Sequence, residues 1–145
     1  MSDLLHSWRF WALASAAFAA LTAILAKVGV TGVQPDVATL VRTVVILALA
    51  AGIVVGTGQA GGLAQIPGRG LVFLVLSGLA TGASWLCYFR ALSLGDAARV
   101  APIDKLSVVL VALFGATLLG ETLSAAAWAG VGLIALGATL VASGW

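Results

Sequence analysis

Charged residues, cysteine and histidine are all scarce in this chain. Charged residues make up 8% of its 145 residues and hydrophobic residues 62%, so a water-soluble fold would have too little polar surface to cover itself. One cysteine, Cys87, and one histidine, His6, exclude an intramolecular disulfide and a Cys/His metal site. The net charge of +2 is too small and too scattered to favour nucleic-acid binding. We therefore expect lipid as the solvent, and neither a metal nor another cofactor.

Five apolar stretches fill almost the whole chain. They cover residues 11–30, 37–58, 71–94, 100–119 and 124–144, and a helix needs about 20 mostly apolar residues to cross a hydrocarbon core of ~30 Å. The strands of a membrane barrel would be about half as long. Short connections with turn residues make neighbouring helices antiparallel. The sequence thus predicts an all-α integral membrane protein with five transmembrane helices in one domain, residues 1–145.

Small residues mark faces on two of the spans. Gly78 and Gly82 form a GxxxG pair in the third span, and Gly130, Gly137 and Gly144 recur at a spacing of seven in the fifth. Such residues let helix backbones approach closely in lipid. Two interpretations stay open: packing inside the five-helix bundle, and a contact between two copies of the chain.

Several charged residues lie inside the predicted spans, where each costs about 2.5–3.5 kcal/mol at the helix centre. Only 14 residues follow Lys105 up to Leu119, about 21 Å of helix, so Asp104 and Lys105 lie inside the membrane boundary. The same count draws Arg42 inward and constrains Arg90 less. Asp104 is the only acid expected well inside a span, and we expect Arg42, Arg90 and Lys105 to compete for it.

These charges also have structural interpretations. Pro102 is well placed as the first residue of the fourth helix, and Asp104 would then favour the positive end of the helix dipole. Lys27 and Arg99 are expected at the membrane interface. Glu121 follows a glycine in the turn before the fifth helix, and we expect it at the N-terminus of that helix.

The aromatic residues fall into two groups. Trp85 lies close to the middle of the third span, with Tyr88 one turn further along the same face. Both packing against neighbouring helices and lining of a substrate cavity fit this pair. The remaining tryptophans lie near span ends, where indoles anchor at the headgroups: Trp8, Trp11, Trp128 and Trp145.

The positive-inside rule gives no firm orientation. Five Lys and Arg residues fall on the side of the first and third loops and two on the other. Excluding the four that lie inside or at the ends of spans reverses the sign of this difference. Such a weak bias is typical of dual topology, in which copies insert both ways and pair head to tail. An antiparallel homodimer of five-helix units would reproduce the inverted repeats of many transporters.

One ordered set of residues extends over all five spans. Its members are Trp11, Lys27, Pro35, Arg42, Gly82, Trp85, Tyr88, Ala91, Leu92, Gly95, Val100, Ala101, Pro102, Leu119, Gly120, Glu121, Trp128, Gly130 and Gly137. The pattern resembles the EamA domain of the drug/metabolite transporter superfamily. Its individual motifs are short, and their order and spacing carry the resemblance.

The resemblance implies a function and an architecture. Typical members hold two such domains, ten helices in inverted topology, and move small metabolites by alternating access. A cavity lined by the first, third and fourth helices is implied, with candidates Trp85, Tyr88, Arg90 and Asp104. The single domain is similar to the short five-span bacterial and archaeal transporters, in which a dimer replaces the fused pair. The first span contains no acid, so the first-helix glutamate of the four-helix exporters has no counterpart here.

We therefore expect a secondary transporter of the prokaryotic cytoplasmic membrane, exporting a small metabolite or drug as an antiparallel homodimer. Its substrate-binding residues are expected to be Arg42, Trp85, Tyr88, Arg90, Asp104 and Lys105. Its packing or dimer faces are expected at Gly78, Gly82, Gly130, Gly137 and Gly144. The alternative is a non-transporting membrane assembly or accessory subunit. An enzyme is not indicated, because no nucleophile, metal set or paired carboxylates appear.

Overall fold

The computed structural model describes residues 7–144, which leaves His6 and Trp145 outside the described residues. The chain is 85% helical and has no strand within the described range. Its α-helices are α1 (Trp8–Gly29), α2 (Pro35–Gly56), α3 (Gly68–Leu94), α4 (Ala97–Asp104), α5 (Ser107–Leu118) and α6 (Ala125–Ser143). A 3-10 helix, Gln59–Gln65, connects α2 to α3.

Five segments are long and apolar enough to cross a membrane. Four are α1, α2, α3 and α6, and the fifth is Ala97–Leu118, which combines α4 and α5. Large apolar side chains are exposed along all five, as lipid-facing helices require. The prediction of an all-α protein with five spans is confirmed.

The described residues divide into two compact units. One contains the residues up to Lys27 together with those from Leu94 onward, and the other is Val28–Ser93. The first unit therefore holds most of α1 with α4, α5 and α6. The second holds α2, the 3-10 helix and nearly all of α3. Leu92 and Phe89 are buried within the second unit, at 0% and 3% exposure.

The fourth span is interrupted, which the sequence analysis did not predict. Pro102 lies inside α4 and not at a helix start, and the helix ends at Asp104. Proline has no N–H to donate to the carbonyl four residues earlier. The turn at Lys105 is closed by bonds of the 3-10 type, including Leu106 N–H to the Ile103 carbonyl at 3.0 Å. The expectation that Asp104 begins a helix is wrong.

The turn between α5 and α6 also differs from its prediction. Gly120 adopts φ +69°, a left-handed conformation that glycine tolerates, and the Glu121 N–H donates to the Gly115 carbonyl at 3.0 Å. Helix α6 is instead capped by Ser124, whose Oγ accepts from the Ala127 N–H at 3.2 Å. Glu121 therefore closes the end of α5 and is not at the N-terminus of α6.

Threonine hydroxyls in the spans are satisfied within their own helices. Each donates to the carbonyl four residues earlier, at 2.8–3.0 Å. A hydroxyl in lipid needs such a partner because no water is present to supply one. The residues are Thr22, Thr39, Thr43, Thr81, Thr117 and Thr139.

Candidate functional site

Two charged contacts join α2 to α3 within the unit Val28–Ser93. Asp36 meets Arg90, and Arg42 meets Trp85. The residue number rises by six along α2 and falls by five along α3, so the two helices run antiparallel. At 1.5 Å per residue the two contacts are about 8–9 Å apart along the helices. We call Arg42–Trp85 the inner contact and Asp36–Arg90 the outer contact.

The inner contact is a cation on an aromatic face. The Arg42 guanidinium carbon lies 3.2 Å from the centroid of the Trp85 ring. Contacts of this kind contribute about 0.5–2 kcal/mol, more when they are desolvated. No carboxylate within residues 7–144 lies at salt-bridge distance from Arg42, and its N–H groups have no acceptor there. Arg42 therefore presents its N–H edge without an oxygen partner.

Aromatic neighbours fix the Trp85 ring. Tyr88 meets it edge to face at 5.3 Å between ring centroids, and Phe89 lies at 5.9 Å with its plane tilted by 53°. The spacing of four residues from Trp85 to Phe89 places both rings on one face of α3. Because Phe89 is buried, the indole rests on a rigid support. Sequence reasoning found Trp85 and Tyr88 but missed Phe89, which that spacing could have indicated.

The outer contact is an exposed ion pair. Arg90 Nη2 lies 3.4 Å from Asp36 Oδ1 and 3.5 Å from Oδ2, with the two side chains 65% and 64% exposed. Pairs of this exposure contribute about 0–1 kcal/mol. Together with Leu86 and Cys87, the pair lines an open cavity of about 440 Å³. The sequence analysis missed Asp36 as the partner of Arg90, although its position in the first turn after Pro35 is visible in the sequence.

Asp104 and Lys105 belong to the other unit, at the interruption of the fourth span. Lys105 Nζ lies 3.2 Å from Asp104 Oδ2. Of the three cations expected to compete for Asp104, Lys105 is its partner in the structure. Arg90 is paired with Asp36 instead. The role of Asp104 and Lys105 in substrate binding stays a prediction.

Two further cations bind backbone carbonyls beyond or near helix C-termini. Lys27 Nζ donates to the Gly95 carbonyl at 2.8 Å, just after α3 ends. The Arg99 guanidinium donates to the Ala142 carbonyl in the last turn of α6, at 3.4 Å from Nε and 3.2 Å from Nη2. Cations are favoured at this end of a helix because the dipole is negative there. Lys27 and Arg99 therefore act as helix-end partners.

The glycines singled out in the sequence mostly face open space. A Cβ atom added at Gly78, Gly82, Gly130 or Gly137 would meet no heavy atom within 4 Å, and one at Gly144 would meet only the Leu140 carbonyl oxygen, at 3.0 Å. The close glycine contact lies elsewhere. At Gly115 the added atom would be 2.6 Å from Glu121 Oε2. The assignment of Gly78, Gly82, Gly130, Gly137 and Gly144 to packing or dimer faces stays a prediction.

No group of three or more His, Cys, Asp or Glu side chains among residues 7–144 is placed to hold a metal ion. What the unit Val28–Ser93 offers at the inner contact is the Arg42 guanidinium, without an oxygen partner among the described residues and supported by aromatic rings; at the outer contact it offers an open cavity. That combination can bind an anionic group.

Comparison with known proteins agrees with this organisation. The sequence matches the EamA-like transporter family over residues 6–143. It is 65% identical over 137 residues to a protein of Sinorhizobium sp described as "Uncharacterized transporter in cobO 3'region", covering 94% of this chain and 97% of that relative. No solved structure matches it. The chain belongs to the EamA-like transporter family.

Proposed function

We propose that this protein is a secondary transporter that moves a small metabolite across the prokaryotic cytoplasmic membrane by alternating access, as an antiparallel homodimer. Membership of the EamA-like family and the transporter named among its relatives already identify a membrane transporter. The observation that carries the finer proposal is Arg42. A guanidinium without an oxygen partner inside a span is costly unless an anion reaches it.

The residues of the two units take different roles in this proposal. Arg42 attracts the anionic group of the substrate, and Trp85 with Tyr88 packs against its apolar part. Arg90, held by Asp36 in the open cavity, is reached from water first. In the other unit, Asp104 with its partner Lys105 is proposed to bind a proton or a cationic group. Ionisable residues within membrane spans commonly mark substrate or proton pathways.

A second copy is proposed because five spans make an odd number. The start of α1 and the end of α6 then face opposite sides of the membrane. An inverted second copy supplies the second repeat that many transporters carry within one chain. The open faces at Gly78, Gly82, Gly130 and Gly137 offer the close backbone approach by which helices associate in lipid.

Transport is tested with purified protein in liposomes loaded with a metabolite extract of bacterial cytosol. Mass spectrometry of the external medium identifies any compound that is released faster than from protein-free liposomes loaded with the same extract. We expect at least one such compound with the wild type and loss of its release with Arg42→Gln. Arg69→Gln is the matched control, since Arg69 also lies over an aromatic ring, Phe73 at 6.0 Å, but at the exposed start of α3. Equal release from wild type and Arg42→Gln would contradict the proposed site.

The antiparallel pairing is tested by topology. Single cysteines introduced at each end of a Cys87→Ala chain are labelled with an impermeant reagent in intact cells and after lysis. Partial labelling of both ends in intact cells is expected for a chain that inserts both ways. Complete protection of one end together with full labelling of the other would contradict the antiparallel homodimer.

A further inference from the structure

The seven cations among residues 7–144 differ in what their charge meets. Four are bound to oxygen, and two lie over aromatic rings in the exposed first turns of α1 and α3. Arg42 also lies over a ring, the indole of Trp85, but it is seven residues beyond the start of α2 and not in a first turn. The oxygen-bound cations and their partners are Lys27 with Gly95, Arg90 with Asp36, Arg99 with Ala142, and Lys105 with Asp104.

Arg42 lies well inside its helix. It follows Pro35 by seven residues, about 10 Å into a span of about 33 Å, and its side chain is half-buried. A guanidinium is charged at every physiological pH, so it stays a cation at this depth. With Trp85 on one face, its N–H groups are free along the edge of the guanidinium plane. A planar carboxylate accepts two parallel hydrogen bonds from that edge.

The acids of the predicted site are already engaged. Asp36 holds Arg90 in the same unit, and Asp104 holds Lys105 in the other unit. The remaining described acids, Asp96 and Glu121, lie in turns between spans. A ligand ammonium group would have to displace an arginine or a lysine from its carboxylate. One guanidinium without an oxygen partner, by contrast, is neutralised by one negative charge.

We propose that the substrate is an organic monocarboxylate without an amino group, whose carboxylate binds the N–H edge of Arg42. Trp85 is a positioning residue that holds the guanidinium plane. The proposal rests on the proposed function insofar as this ligand is the transported one. Binding itself does not depend on transport, so the two are tested separately.

The test compares four probes that share one branched carbon chain. They are 4-methylpentanoate, its amino derivative leucine, 3-methylbutylamine and the dicarboxylate isobutylmalonate. Each is added at equal concentration to the full-length protein in micelles, and the shift of its unfolding temperature is followed by circular dichroism, because a ligand of the native state raises that temperature. A short-chain phosphatidylglycerol serves as a fifth probe for a lipid phosphate.

The largest shift is expected with 4-methylpentanoate. We expect Arg42→Gln to weaken its binding about tenfold or more, since charged hydrogen bonds are lost. Arg42→Lys retains the positive charge but not the two parallel N–H donors of the guanidinium, so this variant should also bind 4-methylpentanoate more weakly. Trp85→Leu should weaken binding, and Trp85→Phe should restore part of it by returning an aromatic face. Arg69→Gln should bind as the wild type does.

Four outcomes would overturn the proposal. They are an equal or larger shift with leucine, with the dicarboxylate or with phosphatidylglycerol, and no Arg42-dependent shift with any probe. A preference for leucine would contradict the proposal that the substrate has no amino group, but it would not contradict the proposal that the protein is a transporter. Arg42-dependent binding of 4-methylpentanoate without its flux into liposomes would support the binding site and contradict the proposal that this ligand is transported.

Discussion

The inner and outer contacts of α2 with α3 each place one arginine against a different kind of partner, at different distances from the helix ends. At the outer contact Arg90 is exposed and has a carboxylate partner, although an exposed pair stabilises little. At the inner contact Arg42 lies within the span, where a partner would matter more, and meets only the Trp85 ring. A carboxylate of the chain at the deeper arginine would neutralise its charge within the span. This arrangement fits our proposal that the anion for Arg42 arrives from outside the chain.

The largest effect is expected from giving the inner contact its own carboxylate. Ile46 lies four residues after Arg42 on the same face of α2 and is 46% exposed. In Ile46→Glu the new carboxylate should pair with Arg42 and compete with substrate, lowering transport in the liposome assay about tenfold or more. Ile46→Gln, equally polar and uncharged, should retain most of the transport. Similar losses in both variants would mean that polarity at this position, not pairing, is responsible.

A smaller effect is expected at the outer contact. Asp36→Asn, Arg90→Gln and the double variant form a thermodynamic cycle for the free energy of unfolding in micelles. Because both side chains are about two-thirds exposed, the coupling energy should be below about 1 kcal/mol. A coupling well above this value would show that the pair is desolvated in the working protein and would remove the contrast with the inner contact.

The smallest effect concerns the reactivity of Cys87. This thiol is exposed and lines the cavity beside the outer pair. Asp36→Asn leaves Arg90 uncompensated and should favour an anionic methanethiosulfonate reagent over a cationic one by about two- to fivefold, and Arg90→Gln should favour the cationic reagent. The wild type should lie between them, and high salt should bring all three rates together. Identical ratios in all three proteins would contradict the pairing of Asp36 with Arg90.

The spans were predictable from the sequence because apolar length alone determines whether a helix crosses lipid. The interruption at Lys105 was not, since Pro102 fits either the start of a helix or a break within one. The depth count identified Arg42, Asp104 and Lys105 as unusual and constrained Arg90 less. Which partner each one meets depends on long side chains from different helices, and residue spacing carries no such information.

For the aromatic residues, too, the sequence indicated the residues but not their contacts with other helices. Trp85 and Tyr88 were found because polar-tipped rings deep in a span are unusual. The contact of Trp85 with Arg42 was not foreseen, because it joins residues 43 positions apart. The substrate-binding roles of these residues, and of the glycine faces, stay predictions until the transport and binding measurements are made.

The threonine hydroxyls that bond within their own helices have a mechanical consequence. The hydroxyls donate within the same helix and not to a neighbouring span at Thr22, Thr39, Thr43, Thr81, Thr117 and Thr139. Sliding or tilting one span past another therefore breaks none of these bonds. At these positions no hydrogen bond of a threonine hydroxyl between spans opposes the helix movement that alternating access requires.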